Sequence, residues 1–206
     1  MCYKTAVLDW NGTLLNDLPF SYQSVRHIFK AFGLPAPTLE QYRKDVSYEW
    51  MKFYIKYGIP EDVDPEKLNS IRRKFFEEQW DNVSLQPYVV EFLEFLKKKH
   101  IRIFLLTGEV GDVVLRRLKQ FSLEHFFDGK VVSTRNKVEV LRCLDFIPSE
   151  TIYIDDDSYA LSGVKELGFT TVGMTHGYGL TEQIRHAKPH LMSNHFSGVI
   201  GFIDSH

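Results

Sequence analysis

The chain has 206 residues, of which 44% are hydrophobic and 14% aromatic, enough to bury the core of one domain with an insertion. Its 25 basic and 27 acidic side chains give a net charge of -2, which argues against binding to nucleic acid. No apolar run approaches the ~20 residues of a membrane-spanning helix, the first residues lack the pattern of a signal peptide, and the two cysteines, Cys2 and Cys143, lack metal-ligand spacing. We therefore expect a cytoplasmic protein, monomeric or homodimeric, with no membrane or nucleic-acid partner.

The first apolar segment, residues 6–8, predicts a strand that ends at Asp9 and continues into Trp10-Asn11-Gly12-Thr13. An Asn-Gly pair between apolar residues is typical of a β-hairpin, in which Asp9 and Thr13 would only flank a turn. Alternatively, an aspartate at the carboxyl end of a strand can act as a nucleophile toward phosphorus and as a ligand for a hard cation. This segment alone leaves both interpretations open.

Helical periodicity dominates the next part of the chain. Apolar residues spaced by three and four predict a helix over residues 20–33, a second around residues 51–55 and a third that begins at Pro65. No strand is expected between residues 14 and 85, so we predict that residues 15–85 form an all-helical insertion. Arg43 and Lys44 lie in a loop-like stretch of it and are candidates for contact with an anionic substrate group.

Strands and helices alternate from residue 87 onward. Apolar runs predict strands over residues 101–106, 130–132, 151–154 and 170–173, with amphipathic helices between them. Crossovers of this length predict a doubly wound parallel sheet, an α/β Rossmann-like fold. Residues 1–14 and 86–206 would together form this α/β core.

Open parallel sheets bind ligands beyond the carboxyl ends of their strands. Several residues are predicted to meet at that edge: Asp9, Thr107, Gly108, Lys137, Asp155 and Asp156. Each has a simpler explanation, since a threonine or an aspartate often caps a helix and a lysine is usually solvated. Their convergence on one edge nevertheless favours a functional site.

In their order, the segment 9–13, Thr107, Lys137 and the pair Asp155-Asp156 resemble the four motifs of the haloacid dehalogenase superfamily. The tail segment 172–179, rich in glycine, resembles the phosphoglycolate-phosphatase-like branch of that superfamily, which carries a helical cap. The resemblance covers nearly the whole chain. It implies a magnesium-dependent phosphatase of a small phosphorylated metabolite, with the helical insertion as the cap.

The resemblance also implies a role for each residue. Asp9 would form an aspartyl-phosphate, and Mg2+ would bind Asp9, the backbone carbonyl of Asn11, and Asp156. Asp155 stands where this family commonly has a glycine. We count it among the predicted metal-binding residues because it is the neighbour of Asp156. The predicted phosphate-binding residues are Gly12, Thr13, Thr107, Gly108 and Lys137. His176, in a glycine-flanked loop, is a candidate for substrate contact.

Asn11 departs from the phosphatase pattern, which has an aspartate at this catalytic position. An amide cannot protonate a leaving alkoxide, and general acid–base catalysis typically contributes ~10²–10⁴-fold to a rate. We therefore expect an enzyme that is slow or that is restricted to good leaving groups. The alternative is a catalytically impaired protein that binds phosphate and metal on the same scaffold.

Overall fold

A computed structural model describes residues 3–46, 50–134 and 136–205 of the chain. The chain divides into two compact units, one of Met1–Asn16 with Leu85–His206 and the other of Asp17–Ser84. We call them the core unit and the helical unit. The sequence prediction set the insertion at residues 15–85, and its function as a cap stays a prediction.

The core unit is built on a six-stranded parallel sheet. Its strands are β1 (Thr5–Leu8), β4 (Arg102–Leu106), β5 (Gly129–Val131), β6 (Thr151–Asp155), β7 (Thr170–Met174) and β8 (Leu191–Ser193). Two strands of two residues each, β2 (Leu15–Asn16) and β3 (Ser84–Leu85), pair in a separate sheet and were not predicted. The order of the large sheet is β5-β4-β1-β6-β7-β8, and helices connect its strands. The predicted α/β fold with a doubly wound parallel sheet is confirmed.

The register of β1 fixes the position of the polar edge. Leu8 is paired with Leu105 of β4 and with Ile154 of β6, and the backbone N–H of Asp9 donates to the carbonyl of Ile154 at 3.0 Å. All four residues of β1 are buried, as expected for a parallel strand covered on both faces. Because both partners of β1 run parallel to it, the hairpin interpretation of the Asn-Gly segment is wrong.

Helices occupy much of the remaining described chain. The helical unit contains α1 (Leu18–Ala31), α2 (Leu39–Asp45), α3 (Trp50–Lys56) and α4 (Pro65–Glu78). The core unit contains α5 (Val89–Lys98), α6 (Gly111–Gln120), α7 (Lys137–Cys143), α8 (Ser158–Glu166), α9 (Thr181–His186) and α10 (Phe196–Asp204). Among the residues described, none of these helices combines the length and apolar character that crossing a bilayer requires.

The helical unit is held together by aromatic packing. Phe29 of α1 is fully buried and its ring lies 5.8 Å from that of Tyr54 and 6.4 Å from that of Phe53, both on α3. Helix α2 was missed by the sequence analysis, although a capping box between Thr38 and Gln41 marks its start. The expectation that Arg43 and Lys44 lie in a loop is therefore wrong, because both belong to the last turn of α2.

Candidate active site

A buried ion pair lies at the carboxyl end of the sheet. Asp9 follows β1, and Lys137 is the first residue of α7; their side chains are 5% and 9% exposed. The Nζ atom of Lys137 lies 2.7 Å from Oδ1 of Asp9 and 2.8 Å from Oδ2 of Asp155. The side chain of Asn136 accepts the backbone N–H of Glu139 and so caps α7, which sets the helix start at Lys137.

Both carboxylate oxygens of Asp155 are engaged by the protein. Its Oδ1 accepts the backbone N–H groups of Asp156 at 2.8 Å and Asp157 at 3.0 Å, whereas Oδ2 accepts from Lys137 and from the hydroxyl of Tyr153. Tyr153 was missed by the sequence analysis. A signal was present, because residues two apart on a strand point to the same face of the sheet.

Asp156 is held from two sides. The Thr13 hydroxyl donates to its Oδ1 at 2.9 Å, and the backbone N–H of Tyr178 donates to its Oδ2 at 2.5 Å. The Thr13 side chain, predicted to bind phosphate, is thus engaged with a carboxylate. Asp157, in contrast, caps α8 by accepting the backbone N–H of Tyr159 at 2.8 Å.

Glycines allow the loops around Asp156 to approach closely. Gly12 has a φ of +77°, and a Cβ there would lie 2.5 Å from Oδ2 of Asp156. A Cβ on Gly177 would lie 2.7 Å from the carbonyl oxygen of Gly12. His176 connects this loop to its surroundings, since its Nδ1 lies 2.9 Å from the carbonyl oxygen of Asn194 and its Nε2 lies 3.1 Å from that of Thr13. The predicted substrate candidate His176 therefore contacts backbone carbonyls.

Thr107 and Gly108 follow β4, next to β1 in the sheet. Thr107 is buried, its backbone N–H donates to the carbonyl of Val131 at 3.0 Å, and its Oγ1 accepts the N–H of Glu109 at 3.1 Å. A hydroxyl that accepts one hydrogen bond can still donate its own hydrogen, which suits contact with a phosphoryl oxygen. A Cβ on Gly108 would lie 3.1 Å from the carbonyl oxygen of Thr134, so this turn is also closely packed.

Asn11 is half-buried and faces an acidic neighbour. Its Nδ2 donates to Oε2 of Glu109 at a distance of 3.5 Å. Glu109 was missed by the sequence analysis, because nothing in the spacing of residues 11 and 109 indicates that their side chains meet.

Burial and like charge perturb the carboxyl groups of the site. Burial raises the pKa of Asp9 well above its ordinary value; Lys137 opposes the shift, and Asp155 and Asp156 add to it. Burial, with the added effect of Asp155, raises the pKa of Asp156 to about 7. Although burial alone would lower it, the charges of Asp155 and Asp9 raise the pKa of Lys137 well above its ordinary value.

The donor set fits a hard divalent cation. One carboxylate oxygen from each of Asp9, Asp155 and Asp156 lies within 4.8 Å of the others, and all three residues are buried. Oxygen ligands are those that Mg2+ and Ca2+ prefer. Three buried carboxyl groups around one ammonium group leave negative charge that such a cation would offset.

Comparisons with known proteins identify the family of the chain. The family model described as haloacid dehalogenase-like hydrolase matches residues 6–174. The chain is 22% identical over 202 residues to a phosphorylated carbohydrates phosphatase of Thermotoga maritima, covering 90% of this chain and 88% of that protein. It is 23% identical over 226 residues to a phosphoglycolate phosphatase of Pasteurella multocida, covering 98% and 99%. Among solved structures, a haloacid dehalogenase-like family hydrolase of Streptococcus pneumoniae superimposes with a TM-score of 0.82 at 19% identity, covering 97% and 98% of the two chains. The resemblance inferred from the motifs is confirmed.

Proposed function

We propose that this chain, which belongs to the haloacid dehalogenase-like hydrolase family, is a phosphatase of small phosphorylated metabolites. The observation that carries the proposal is the buried contact of 2.7 Å between Asp9 and Lys137, with Asp156 close by, at the carboxyl edge of the sheet. The names of the Thermotoga and Pasteurella relatives support the substrate class.

Asp9 is the proposed nucleophile. A carboxylate oxygen of Asp9 attacks phosphorus, and the phosphoryl group remains on Asp9 as an acyl phosphate. The bond from phosphorus to the leaving oxygen breaks, and this oxygen keeps the bonding electrons and takes a proton from water. Water then attacks this phosphorus, and inorganic phosphate and the free carboxylate are released. The buried position of Asp9 at a strand end holds the nucleophile in one place and limits competing solvent.

Lys137 and Thr107 are proposed to contact the transferred phosphoryl group. Lys137, already paired with Asp9, contributes a point cation against the negative charge that nucleophile and substrate bring together. Thr107 donates its hydroxyl hydrogen to a phosphoryl oxygen. Gly12 and Gly108 lack a Cβ where the chain packs closely against Asp156 and Thr134, and we propose that these two turns face the phosphate.

Asp9, Asp156 and the backbone carbonyl of Asn11 are the residues proposed to hold a Mg2+ ion. The ion, when bound, supplies positive charge that screens the repulsion between an anionic nucleophile and an anionic substrate. Asp155 was grouped with the metal ligands on sequence grounds. The two oxygens of Asp155 accept four hydrogen bonds from the protein, which fills the acceptor capacity of a carboxylate, whereas Asp156 accepts two. We therefore assign Asp155 to holding Lys137 in place and to directing Asp156.

Asn11 limits the proposed reaction. A carboxamide can donate a hydrogen bond to the leaving oxygen but cannot transfer a proton to it. We therefore expect aryl phosphates, whose leaving groups need little protonation, to be hydrolysed faster than alkyl phosphates by ~10²-fold or more. The same residue favours a second candidate function, a protein that binds a phosphorylated metabolite without turning it over.

Hydrolysis of p-nitrophenyl phosphate separates the two candidates. The wild-type protein should hydrolyse it in the presence of Mg2+, and Asp9→Asn should reduce kcat by about 10⁴-fold or more. The exposed Asp145 provides a matched control, and Asp145→Asn should retain the wild-type rate. Equal and vanishing rates for the wild type and Asp9→Asn would leave the binding function as the better explanation.

A further inference from the structure

Asn11 and Glu109 are brought together by the loops that follow two neighbouring strands, β1 and β4. Nδ2 of Asn11 lies 3.5 Å from Oε2 of Glu109. Since a carboxylate only accepts hydrogen bonds, this contact fixes which end of the amide faces position 109. Turning the carboxamide around would place its Oδ1 against a carboxylate oxygen.

Glu109 is itself held in place. Its Oε1 accepts the backbone N–H of Val110 at 2.8 Å, and its own N–H donates to Oγ1 of Thr107 at 3.1 Å. Its carbonyl accepts the N–H of Ser133 at 2.9 Å. These contacts hold the Glu109 carboxylate in place beside Asn11, within the turn of residues 107–110 that follows β4.

We propose that Glu109 is a positioning residue for Asn11 and that its carboxylate makes a carboxamide, rather than a carboxylate, the compatible side chain at position 11. An aspartate at position 11 would bring two carboxylates together in a half-buried place, where like charges repel. The two residues are thus a coupled pair of donor and acceptor. This inference rests on the proposed function, because it explains how the departure at Asn11 is accommodated next to the reacting group.

The pair can be tested by exchanging its donor and its acceptor. In the double variant Asn11→Asp with Glu109→Gln, an amide at position 109 donates to a carboxylate at position 11, so the contact is kept with its polarity reversed. We expect Asn11→Asp alone to raise kcat for an alkyl phosphate little or not at all. The factor by which Asn11→Asp raises kcat should be on the order of tenfold larger in the Glu109→Gln background than in the wild-type background.

The leaving group provides a readout that a purely structural role of Glu109 would not change. For p-nitrophenyl phosphate, whose leaving group needs little protonation, the coupling between the two positions should be several-fold smaller than for an alkyl phosphate. Glu124, an exposed glutamate, provides a matched control: Glu124→Gln should leave the effect of Asn11→Asp unchanged.

Failure of the proposed function is distinguished by Asp9→Asn. If the wild type shows hydrolysis that Asp9→Asn abolishes, the inference is tested on kcat. The effect of the double variant on kcat is then compared with the product of the effects of Asn11→Asp and Glu109→Gln. A double effect equal to that product would overturn the inference. If the wild type shows no such hydrolysis, the unfolding temperatures of the same four proteins decide. There the double variant should be more stable than the sum of the single effects, and additive shifts would overturn the inference.

Discussion

The carboxyl edge of the sheet and the interior of the helical unit are both buried, but they are filled with opposite chemistry. The edge buries charged groups, namely Asp9, Lys137, Asp155 and Asp156. The interior of the helical unit buries aromatic rings, namely Phe29, Tyr42, Phe53 and Tyr54. Burying an aromatic side chain stabilises a fold by about 1.5–3 kcal/mol, whereas burying an ion costs several kcal/mol that pairing must offset.

The difference shows where stability and chemistry reside in this chain. The helical unit gains its stability from burial of apolar area. Substitutions that replace a large buried side chain there by a small one are therefore expected to destabilise the fold most. The edge of the sheet carries unfavourable charge that a folded domain does not need for its own stability. We therefore expect substitutions in the two regions to have opposite consequences for folding and for activity.

The largest expected effect on stability comes from Phe29, which is fully buried in the helical unit. Phe29→Ala removes a ring in contact distance of Phe53 and Tyr54 and leaves a cavity, so the free energy of unfolding should fall by about 3–5 kcal/mol. Urea unfolding followed by circular dichroism measures this. Tyr159 is 78% exposed, so Tyr159→Ala is the control and should stay within about 0.5 kcal/mol of the wild type. A similar small change for Phe29→Ala would contradict the aromatic interior as the source of stability.

The next effect concerns the edge of the sheet and has a predicted dependence on pH. The pKa of Asp156 rises on folding from an ordinary 3.8 to about 7, so between these values the folded protein binds more protons than the unfolded chain. Without a divalent cation, the free energy of unfolding should therefore fall as pH rises from about 4 to 7. Asp156→Asn should remove this part of the slope.

Thermal unfolding with EDTA and with Mg2+ tests this prediction. At pH 7, Mg2+ should raise the unfolding temperature of the wild type and have a smaller effect on Asp156→Asn, because a ligand that binds the folded state stabilises it. Asp145→Asn, at an exposed position, should behave as the wild type does. If stability depended on pH with the same slope in the wild type and in Asp156→Asn, the titration of Asp156 would not be the cause of this dependence.

Much of the core unit was predictable, because continuous apolar runs indicate strands covered on both faces. Asp9, Thr107 and Asp155 each follow such a run, and parallel strands end at one edge, so their convergence could be expected from the sequence. The last part of the core was not predicted. Helices α9 and α10, with strand β8 between them, are short elements, and two glycines, Gly198 and Gly201, interrupt the apolar pattern of α10.

Helix α2 and the contact between Asn11 and Glu109 could not be predicted in the same way. The helical pattern of α2 is weak, because Tyr42 is its one buried residue. The contact between Asn11 and Glu109 depends on the conformations of two loops 98 residues apart, for which one sequence offers no periodicity. Tyr153 is different, since its place two residues before Asp155 on a strand could have indicated their contact.

The smallest expected effect returns to the helical unit, at Asp45 in the last turn of α2. Hydrogen bonds from Lys56 at 2.7 Å and from the hydroxyl of Tyr57 at 2.5 Å hold the pKa of Asp45 below its ordinary value. A lowered pKa contributes stability that is present above the ordinary pKa and lost as pH falls through the folded value. Asp45→Asn should therefore lower the unfolding temperature slightly at pH 7, less than Phe29→Ala does, and the difference should disappear in acid.

The sign of this dependence is the informative part of the measurement. Asp45 should make the protein more stable as pH rises, whereas Asp156 should make the metal-free protein less stable. Unfolding temperatures of both variants, measured with EDTA across the same pH range, compare a paired carboxylate with a crowded, buried one. If Asp45→Asn changed the slope in the same direction as Asp156→Asn, pairing and burial would not explain the difference between the two regions, because both carboxylates would then be destabilised by their surroundings.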